Sequence, residues 1–386
     1  MNKVIHLKQG IISVLLTLPL LYGSYYIIGL YRYAQMTTDQ KIANLFFYVM
    51  LNGLFFLTMY TKKIDKFRAI MFVSIAIAFP LEFILGLYEQ RGHFMFFTFS
   101  DAINGQVPFC HIVIPQTIIP MIFTKQALFP GLISKFTYSI GIMVVMWLAV
   151  SLLVGRAWCS WACFYGGWED GCSRITRKAR IKLNPKIIWS SFAVLILVIL
   201  TSIEFATPTY CFFLCPFKAC SEFAEISTPL VIIQTVIFAV LFLGLVIILP
   251  MLTKKRTQCI SLCPFGAFQS LVDKINPFGI RIDKDNCVNC KKCMNACPVM
   301  SISEKSIQKG SAGLTCVKCG KCIDICPKKC MHFHIKGAPK NVIFGKIAKQ
   351  IFLYLTYTIL TGMGAYFITS FLERILLLIR TGSILK

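Results

Sequence analysis

Histidine, acidic side chains and nucleotide-binding motifs are scarce or missing in this sequence of 386 residues. The histidines are His6, His93, His111, His332 and His334, and none lies in the middle of a long apolar run, so we expect no bis-histidine haem. No G-x-G-x-x-G follows a strand pattern and no Walker A segment occurs, which leaves dinucleotide binding and ATP-driven transport unsupported. The 16 acidic residues face 40 Lys and Arg, a formal net charge of +24. We interpret this excess as a sign of membrane topology and expect no nucleic-acid partner.

Long apolar runs dominate what is present. The sequence is 56% hydrophobic with a mean hydropathy of +0.70. Runs long enough to cross a bilayer lie near 11–30, 42–60, 69–88, 136–154, 187–205, 230–252 and 350–372. The pattern predicts a polytopic membrane protein, mainly α-helical, with about seven transmembrane helices. Lys3 and Lys8 precede a first run of full spanning length, which favours a retained anchor over a signal peptide.

Basic residues sort by alternate connections. There are 2 Lys or Arg before the first helix, 4 in 61–68, 7 in 155–186 and 18 in 253–349, against 6 in the other connections. By the positive-inside rule, the N-terminus and the basic loops are cytoplasmic and the protein lies in the cytoplasmic membrane. The connection 206–228 should then face outward. Alternatively, it is re-entrant and folds back into the protein.

Two cysteine runs lie between the sixth and seventh helices: CVNCKKCMNACP at 287–298 and CVKCGKCIDICP at 316–327. C-x2-C-x2-C-x3-C-P written twice is the pattern of a bacterial two-cluster ferredoxin, in which the fourth cysteine of each run binds the other [4Fe-4S] cluster. We assign one cluster to Cys287, Cys290, Cys293 and Cys326, and the second to Cys316, Cys319, Cys322 and Cys297. A zinc ribbon is the alternative, but it does not need three cysteines in each run.

Four more cysteines follow apolar runs on the predicted cytoplasmic side, in GRAWCSWAC and CISLCPFGA. Two C-x3-C pairs from neighbouring helices supply the four thiolates of one cluster, so we expect a [4Fe-4S] centre on Cys159, Cys163, Cys259 and Cys263. We place the rings of Trp158, Trp161 and Phe265 at the membrane interface.

On the predicted outer side, TYCFFLCPFKAC at 209–220 contributes Cys211, Cys215 and Cys220, and Cys110 is the one further cysteine expected there. Together they suggest a fourth cluster. A disulfide between Cys110 and Cys220 and ligation by His111 are alternatives. Cys172 and Cys330 are left without a ligand role.

These motifs suggest four segments: a four-helix membrane region 1–154 with an outer loop 89–135, a membrane iron–sulfur core 155–279, an α+β ferredoxin domain 280–340, and a last helix and tail 341–386. Basic residues surround the ferredoxin motifs, and such a surface would attract an acidic donor. They are Lys291, Lys292, Lys318, Lys321, Lys328 and Lys329. Glu82, inside the third apolar run, is either a proton or quinone site or a carboxylate paired with a polar neighbour.

At GRAWCSWAC, CISLCPFGA and the ferredoxin runs, the chain resembles the NapH/NosR/YccM-like membrane-bound polyferredoxins, and more distantly CcoG. One departure is Phe164, where the family has proline after the second cysteine. The resemblance implies electron transfer from a cytoplasmic ferredoxin or flavodoxin, or from quinol, to an outer-side reductase, or maturation of such an enzyme.

We therefore expect an electron-transfer component rather than a stand-alone enzyme, embedded among membrane lipids. It would carry electrons from the donor through [4Fe-4S] clusters to an outer-side reductase or metalloprotein. The alternative is a metal-reducing or maturation factor for an outer-side metalloenzyme, in which the outer cysteines and His111 bind metal transiently.

Overall fold

A computed structural model describes residues 2–91, 110–125, 140–205, 208–218, 229–338 and 342–385. Its helices are α1 (Asn2–Ile27), α2 (Thr38–Thr61), α3 (Ile64–Arg91), α4 (Val113–Thr124), α5 (Ile140–Leu153), α6 (Trp158–Trp161), α7 (Phe164–Ile175), α8 (Ile188–Phe205), α9 (Thr209–Phe213), α10 (Pro229–Leu241), α11 (Leu249–Thr253), α12 (Thr257–Ser261), α13 (Pro264–Val272), α14 (Lys292–Ala296), α15 (Glu304–Lys309), α16 (Lys321–Ile325) and α17 (Val342–Thr381). The strands are β1 (Phe278–Ile282) and β2 (Met331–Ile335). Short 3-10 turns occupy Leu30–Gln35, Gly155–Ala157 and Pro185–Ile187, and a π-helical segment, Phe242–Ile248, joins α10 to α11.

The predicted set of about seven membrane helices is confirmed. Within the described ranges, six helices are long and apolar enough to cross a bilayer: Leu7–Gln35, Thr38–Thr61, Ile64–Gly86, Pro185–Phe205, Ile232–Thr253 and Gly345–Thr381. A seventh candidate is a broken one, in which Gly141–Leu153 and Gly155–Trp161 meet at 108°. The bend occurs at Gly155, which has a φ of +61°. Glycine adopts this left-handed conformation without the steric cost that a side chain would add.

Local sequence explains where the second and third helices begin. α2 starts with a capping box, in which Thr37 accepts from the Gln40 amide and the Gln40 side chain accepts from the Thr37 amide. α3 is capped from a distant part of the chain. The Asp324 carboxylate, on α16, accepts from the backbone N–H of Ile64 at 3.0 Å and of Asp65 at 2.7 Å.

The expected α+β insert is also confirmed. β1 and β2 pair antiparallel, with Phe278 opposite Ile335 and Ile282 opposite Met331. Short helices α14 and α16 each carry the end of one cysteine run. The sheet packs on the last membrane helix, because Phe333 stacks on Phe352 with ring centroids 4.5 Å apart. The insert and the membrane helices thus share a hydrophobic core.

The last membrane helix also closes a buried ion cluster. Arg374 on α17 is bound by Glu82 through Nε at 2.5 Å and by Glu89 through Nη1 at 2.7 Å, both on α3. Of the two alternatives for Glu82, the structure shows the paired carboxylate. A buried guanidinium between two carboxylates fixes how α17 lies against α3.

Removing this guanidinium should destabilise the protein. We expect Arg374→Ala to lower the free energy of unfolding by about 3–5 kcal/mol, because Glu82 stays buried without its partner. The matched control is Arg380→Ala, whose side chain is 61% exposed in its pair with Asp39 and should cost about 1 kcal/mol or less. Thermal unfolding followed by tryptophan fluorescence in detergent measures both. Equal melting temperatures for the two variants would contradict the prediction.

Candidate metal centres

The two ferredoxin runs adopt the same backbone turn. In the first, Asn289 and Lys291 have φ of 50° and 55°, and in the second, Lys318 and Gly320 have φ of 50° and 82°. In each run, residues in the left-handed conformation lie at matching positions between the cysteines. They produce a tight turn that brings the three thiols of the run together. Gly320 is also required for packing, since a Cβ there would lie 2.9 Å from Ile64 Cγ2.

One ferredoxin site lies at the surface. Cys287, Cys290, Cys293 and Cys326, called here the exposed ferredoxin site, line a single cavity, and Cys290 is exposed. Cys330 lines the same cavity, with its Sγ 3.4 Å from that of Cys326. Burial raises the pKa of Cys326, but hydrogen bonds from the Cys330 thiol and nearby backbone N–H groups outweigh it and lower the pKa overall.

The second ferredoxin site is inside the protein. Cys297, Cys316, Cys319 and Cys322, the buried ferredoxin site, lie within electrostatic range of one another, and Cys322 is also within range of Cys293 in the exposed site. Burial raises the pKa of Cys316 to about 12. Without a metal, a thiol at this position would stay protonated. A cationic iron centre would displace the proton and bind the thiolate, so these four cysteines suit such a centre.

The two C-x3-C motifs on the ferredoxin side fold alike. In each, the first cysteine (Cys159 or Cys259) is on a one-turn helix and the second (Cys163 or Cys263) is the N-cap of the next helix. Phe164 begins α7 at the position where Pro264 begins α13, so the missing proline changes little. The four thiols, called the membrane four-cysteine site, are buried, and each lies within electrostatic range of at least two others.

Two glycines make room for this arrangement. A Cβ on Gly166 would lie 2.4 Å from the carbonyl oxygen of Cys159, and one on Gly266 would lie 3.2 Å from that of Cys259. The amide of Gly266 donates to Cys263 Sγ at 3.3 Å. Four buried thiols, one of which accepts from a backbone N–H group, are a donor set that fits a [4Fe-4S] centre.

The buried ferredoxin site is docked on the membrane four-cysteine site. Ser160 donates to the carbonyl of Val317, and Trp161 Nε1 donates to the carbonyl of Lys318 at 3.3 Å. Arg256 lies between the sites: its Nη1 donates to the Cys159 carbonyl at 3.1 Å, and it is within electrostatic range of Cys259 and Cys319. One guanidinium thus lies near cysteines of both sites.

Buried acids hold this junction together. Asp170 is paired with Arg68 at 2.9 Å and with Arg256 at 2.8 Å, and all three side chains are fully buried. Glu169 accepts from the amides of Gln258 and Cys259 at the start of α12, as expected for a carboxylate at a helix start. Burial raises the pKa of Glu169 to about 7, despite these bonds.

Over the residues described, the connection predicted to face outward folds back against the protein. Thr209 Oγ1 lies 2.8 Å from Thr201 Oγ1 and 3.4 Å from the carbonyl of Val198, so the chain turns back along α8. The Tyr210 hydroxyl accepts from the Gln258 side chain at 3.2 Å, beside Cys259. Gln116 Oε1 accepts from the backbone N–H of Tyr210 at 3.0 Å, so a buried polar partner satisfies the start of α9, as the re-entrant alternative requires.

This fold brings Cys110, Cys211 and Cys215, the loop cysteines, within electrostatic range of one another. Tyr165 links them, because its hydroxyl lies 3.3 Å from Cys215 Sγ and 3.8 Å from Cys110 Sγ. His111 Nε2 lies 3.4 Å from Cys163 Sγ, so this histidine adjoins the membrane four-cysteine site. The loop cysteines are therefore neighbours of that site, and Cys110 is within electrostatic range of Cys163.

Cys220, the fourth predicted member, lies outside the described residues, so the outer cluster and the disulfide with Cys110 stay predictions. In the described residues no group of three or more His, Cys, Asp and Glu side chains is placed to hold a single metal ion. A cubane takes one thiolate at each of four iron atoms, which sets its ligands farther apart than those of one ion.

Sequence reasoning misplaced some side chains and missed others. Lys318, predicted on the basic surface, is 2% exposed because its Nζ binds Asp273 at 2.6 Å and Asn276 at 2.8 Å. Trp161 and Phe265, predicted at the interface, are 1% exposed within the core. Tyr165 was missed, although its place two residues after Cys163 was a usable signal.

Two protein-family models match the chain. A 4Fe-4S dicluster domain matches residues 279–327, and a 4Fe-4S binding domain matches three segments, 136–182, 187–227 and 235–282. Each of these three segments contains one C-x3-C motif. The fold and the two family matches together define the class of this protein. It is a membrane-spanning protein that carries 4Fe-4S binding domains.

Individual relatives agree with this class, and the resemblance to YccM-like proteins is confirmed. YccM of Escherichia coli, named as a candidate electron transport protein, is 24% identical over 255 residues, which cover 61% of this chain and 65% of YccM. The chain thus matches slightly less than two thirds of that relative. Two uncharacterized proteins of Methanocaldococcus jannaschii are 29% and 24% identical, over 47% and 41% of this chain and 77% and 58% of their own lengths. No solved structure matches the chain.

The glycine at 166 gives a direct test of the membrane four-cysteine site. We expect Gly166→Ala to lose about four iron atoms per chain, because the added methyl group displaces the Cys159 carbonyl. The matched control is Gly244→Ala, where a Cβ meets nothing within 4 Å. Iron analysis of purified protein, with ferredoxin EPR signals retained, measures the loss. Full iron content in Gly166→Ala would disprove the assignment.

Proposed function

We propose that this protein carries electrons from a donor on the ferredoxin side of the cytoplasmic membrane, through a row of cysteine-held centres, to an acceptor reached from the opposite side. The family matches support an iron–sulfur role, and the name of the relative YccM adds electron transport. The basic loops favour a cytoplasmic ferredoxin domain.

The docking of the buried ferredoxin site on the membrane four-cysteine site carries the proposal. Backbone carbonyls of Val317 and Lys318, inside one cysteine run, accept from Ser160 and Trp161, between the two cysteines of another motif. A movable ferredoxin domain would not need such buried bonds. The contact suits direct transfer between fixed centres.

Bound [4Fe-4S] clusters would supply one-electron chemistry at these sites. The protein's own residues keep the path rigid and dry. Arg256 is fully buried and donates to the Cys159 carbonyl, so its positive charge lies beside two sets of thiolates. In this buried, low-dielectric setting, the positive charge stabilises an added electron more than it would in a water-exposed site.

The donor end would be the exposed ferredoxin site. Cys290 is exposed, and Lys291, Lys292, Lys328 and Lys329 around it are exposed as well. Lys291 is paired with Glu304, whereas the other three extend the positive surface. Such a surface attracts an acidic flavodoxin or ferredoxin, and it is less suited to quinol, which arrives through the bilayer.

The acceptor end would involve the loop cysteines. A hydrocarbon core is about 30 Å thick, so a centre at one surface cannot reach the other in one short step. His111 against Cys163 and Tyr165 against Cys215 extend the row of sites inward from the ferredoxin side. An outer-side reductase or metalloprotein would take the electron from there.

Breaking the middle of the row should stop transfer. We expect Cys259→Ser with Cys263→Ser to reduce transfer at least about ten-fold while the ferredoxin EPR signals remain. The control is Cys172→Ser, a buried thiol outside every site. In proteoliposomes with the ferredoxin domain outside, reduced flavodoxin is added and reduction of an enclosed dye is followed. Unchanged dye reduction in the double variant would refute the proposal.

A metal-reducing or maturation factor is the second candidate. The observation that favours it is the mixed surroundings of the loop cysteines, which include the Tyr165 hydroxyl and the side chain of Gln116, 3.9 Å from Cys211 Sγ. Thiols with neutral polar neighbours suit transient binding of a soft metal ion.

Iron content separates the two candidates. We expect about sixteen iron atoms per chain in the conduit and about twelve in the metal-handling protein. Cys211→Ser with Cys215→Ser should lower the first value by about four, with the ferredoxin signals preserved. An unchanged value of about twelve in both proteins would favour metal handling.

A further inference from the structure

A wide groove lies where the ferredoxin domain meets the membrane helices. Its volume is about 740 Å³, within the range of small-molecule sites. One wall is the first half of α3, the second is α7, and the third is α16 of the ferredoxin domain. The groove is separate from the cysteine sites, whose thiols do not line it.

The mouth of the groove is positively charged. Lys63 just before α3, Lys66 on α3, Arg174 on α7 and Lys321 on α16 line it. The pKa of neighbouring Lys254 is lowered by burial and then by the cations Lys321 and Arg174, as expected beside a positively charged mouth.

The acids that line the groove are already engaged. Asp65 is bound by Arg68 at 2.7 Å and by Arg174 at 2.8 Å. Asp324 accepts from the backbone amides at the start of α3. The lysines at the mouth therefore keep a positive potential that suits an anion.

Farther along α3, a helix long enough to span a membrane, the lining of the groove is largely apolar. Ala69, Ile70 and Val73 line it. Ile70 is 45% exposed, and Ile77 and Leu81, farther along the same face of α3, are each 43% exposed. Positions spaced by seven and four residues form one stripe on a helix. A charged mouth above an exposed apolar stripe matches a molecule with an anionic head and acyl chains.

We propose that this groove binds an anionic phospholipid, with its phosphate at Lys63, Lys66 and Lys321 and its chains along Ile70 and Ile77. Basic pockets at the membrane surface bind such head groups, at about 1 kcal/mol for each Lys or Arg near the surface. The lipid would link α3 to α16 and so help hold the ferredoxin domain on the membrane helices. This site goes beyond electron transfer and does not depend on it.

The test uses the full-length protein, stripped of lipid in neutral detergent and oxidised, with dioctanoyl phosphatidylglycerol as the probe. Native mass spectrometry should show tighter binding of this lipid than of dioctanoyl phosphatidylcholine. Lys63→Gln, Lys66→Gln and Lys321→Gln together should weaken phosphatidylglycerol binding at least about ten-fold. The control removes the same number of charges on the exposed ferredoxin surface, at Lys284, Lys305 and Lys309, and should bind as the unaltered protein does.

Both triple variants should keep the iron content and melting temperature of the unaltered protein, which separates lipid loss from unfolding. Equal binding of the two lipids, or equal phosphatidylglycerol binding by the groove variant, would overturn the proposal. Displacement of the lipid by millimolar inorganic phosphate would also overturn it, since that identifies a free phosphate site. Because no electron is transferred in this measurement, its outcome is independent of the proposed conduit.

Discussion

The junction of Asp170 with Arg68 and Arg256 is the interaction on which the arrangement of sites depends. Isolated buried charges are expensive, and this network is tolerable because each carboxylate oxygen meets a guanidinium and each guanidinium also donates to a backbone carbonyl. Those carbonyls belong to Ser160 and Cys159, within the first C-x3-C motif. The charges that join the helices therefore also hold the backbone that carries the thiols. The packing of the membrane helices and the geometry of the membrane four-cysteine site thus depend on the same interactions.

The three C-x3-C motifs are repeats of one helix-and-turn unit, since each begins on a short helix and each lies in one of the three segments that match the 4Fe-4S binding domain. The first and third have a glycine three residues after the second cysteine, at Gly166 and Gly266, where a side chain would collide with a carbonyl oxygen in the first copy and crowd one in the third. The middle copy has Lys218 at that position. Its surroundings differ accordingly, with Tyr165 and Gln116 near the thiols. Two copies share one compact four-thiol site, whereas the cysteines of the middle copy lie near Cys110.

The ferredoxin domain could be predicted from local spacing, because three cysteines within seven residues can bind one cluster only if the chain between them forms a tight turn. The membrane four-cysteine site followed from topology, since both motifs come after helices that end on the same side. Charge counting assigns a side of the membrane but not a depth, so it could not show Thr209 bonded to Thr201. It also could not show that Lys318 is buried, because Asp273 and Asn276 lie more than forty residues away in sequence. Long-range polar partners decided each of these cases.

The cap of α3 by Asp324 has a consequence for biogenesis. Ile64 and Asp324 are 260 positions apart, so the ribosome releases the third helix into the bilayer long before its terminal amides receive their acceptor. Until then, water or lipid head groups must satisfy those amides. The soluble insert can lock onto the bundle only late in synthesis, which leaves an interval in which iron and sulfide still have access to the thiols from the aqueous side.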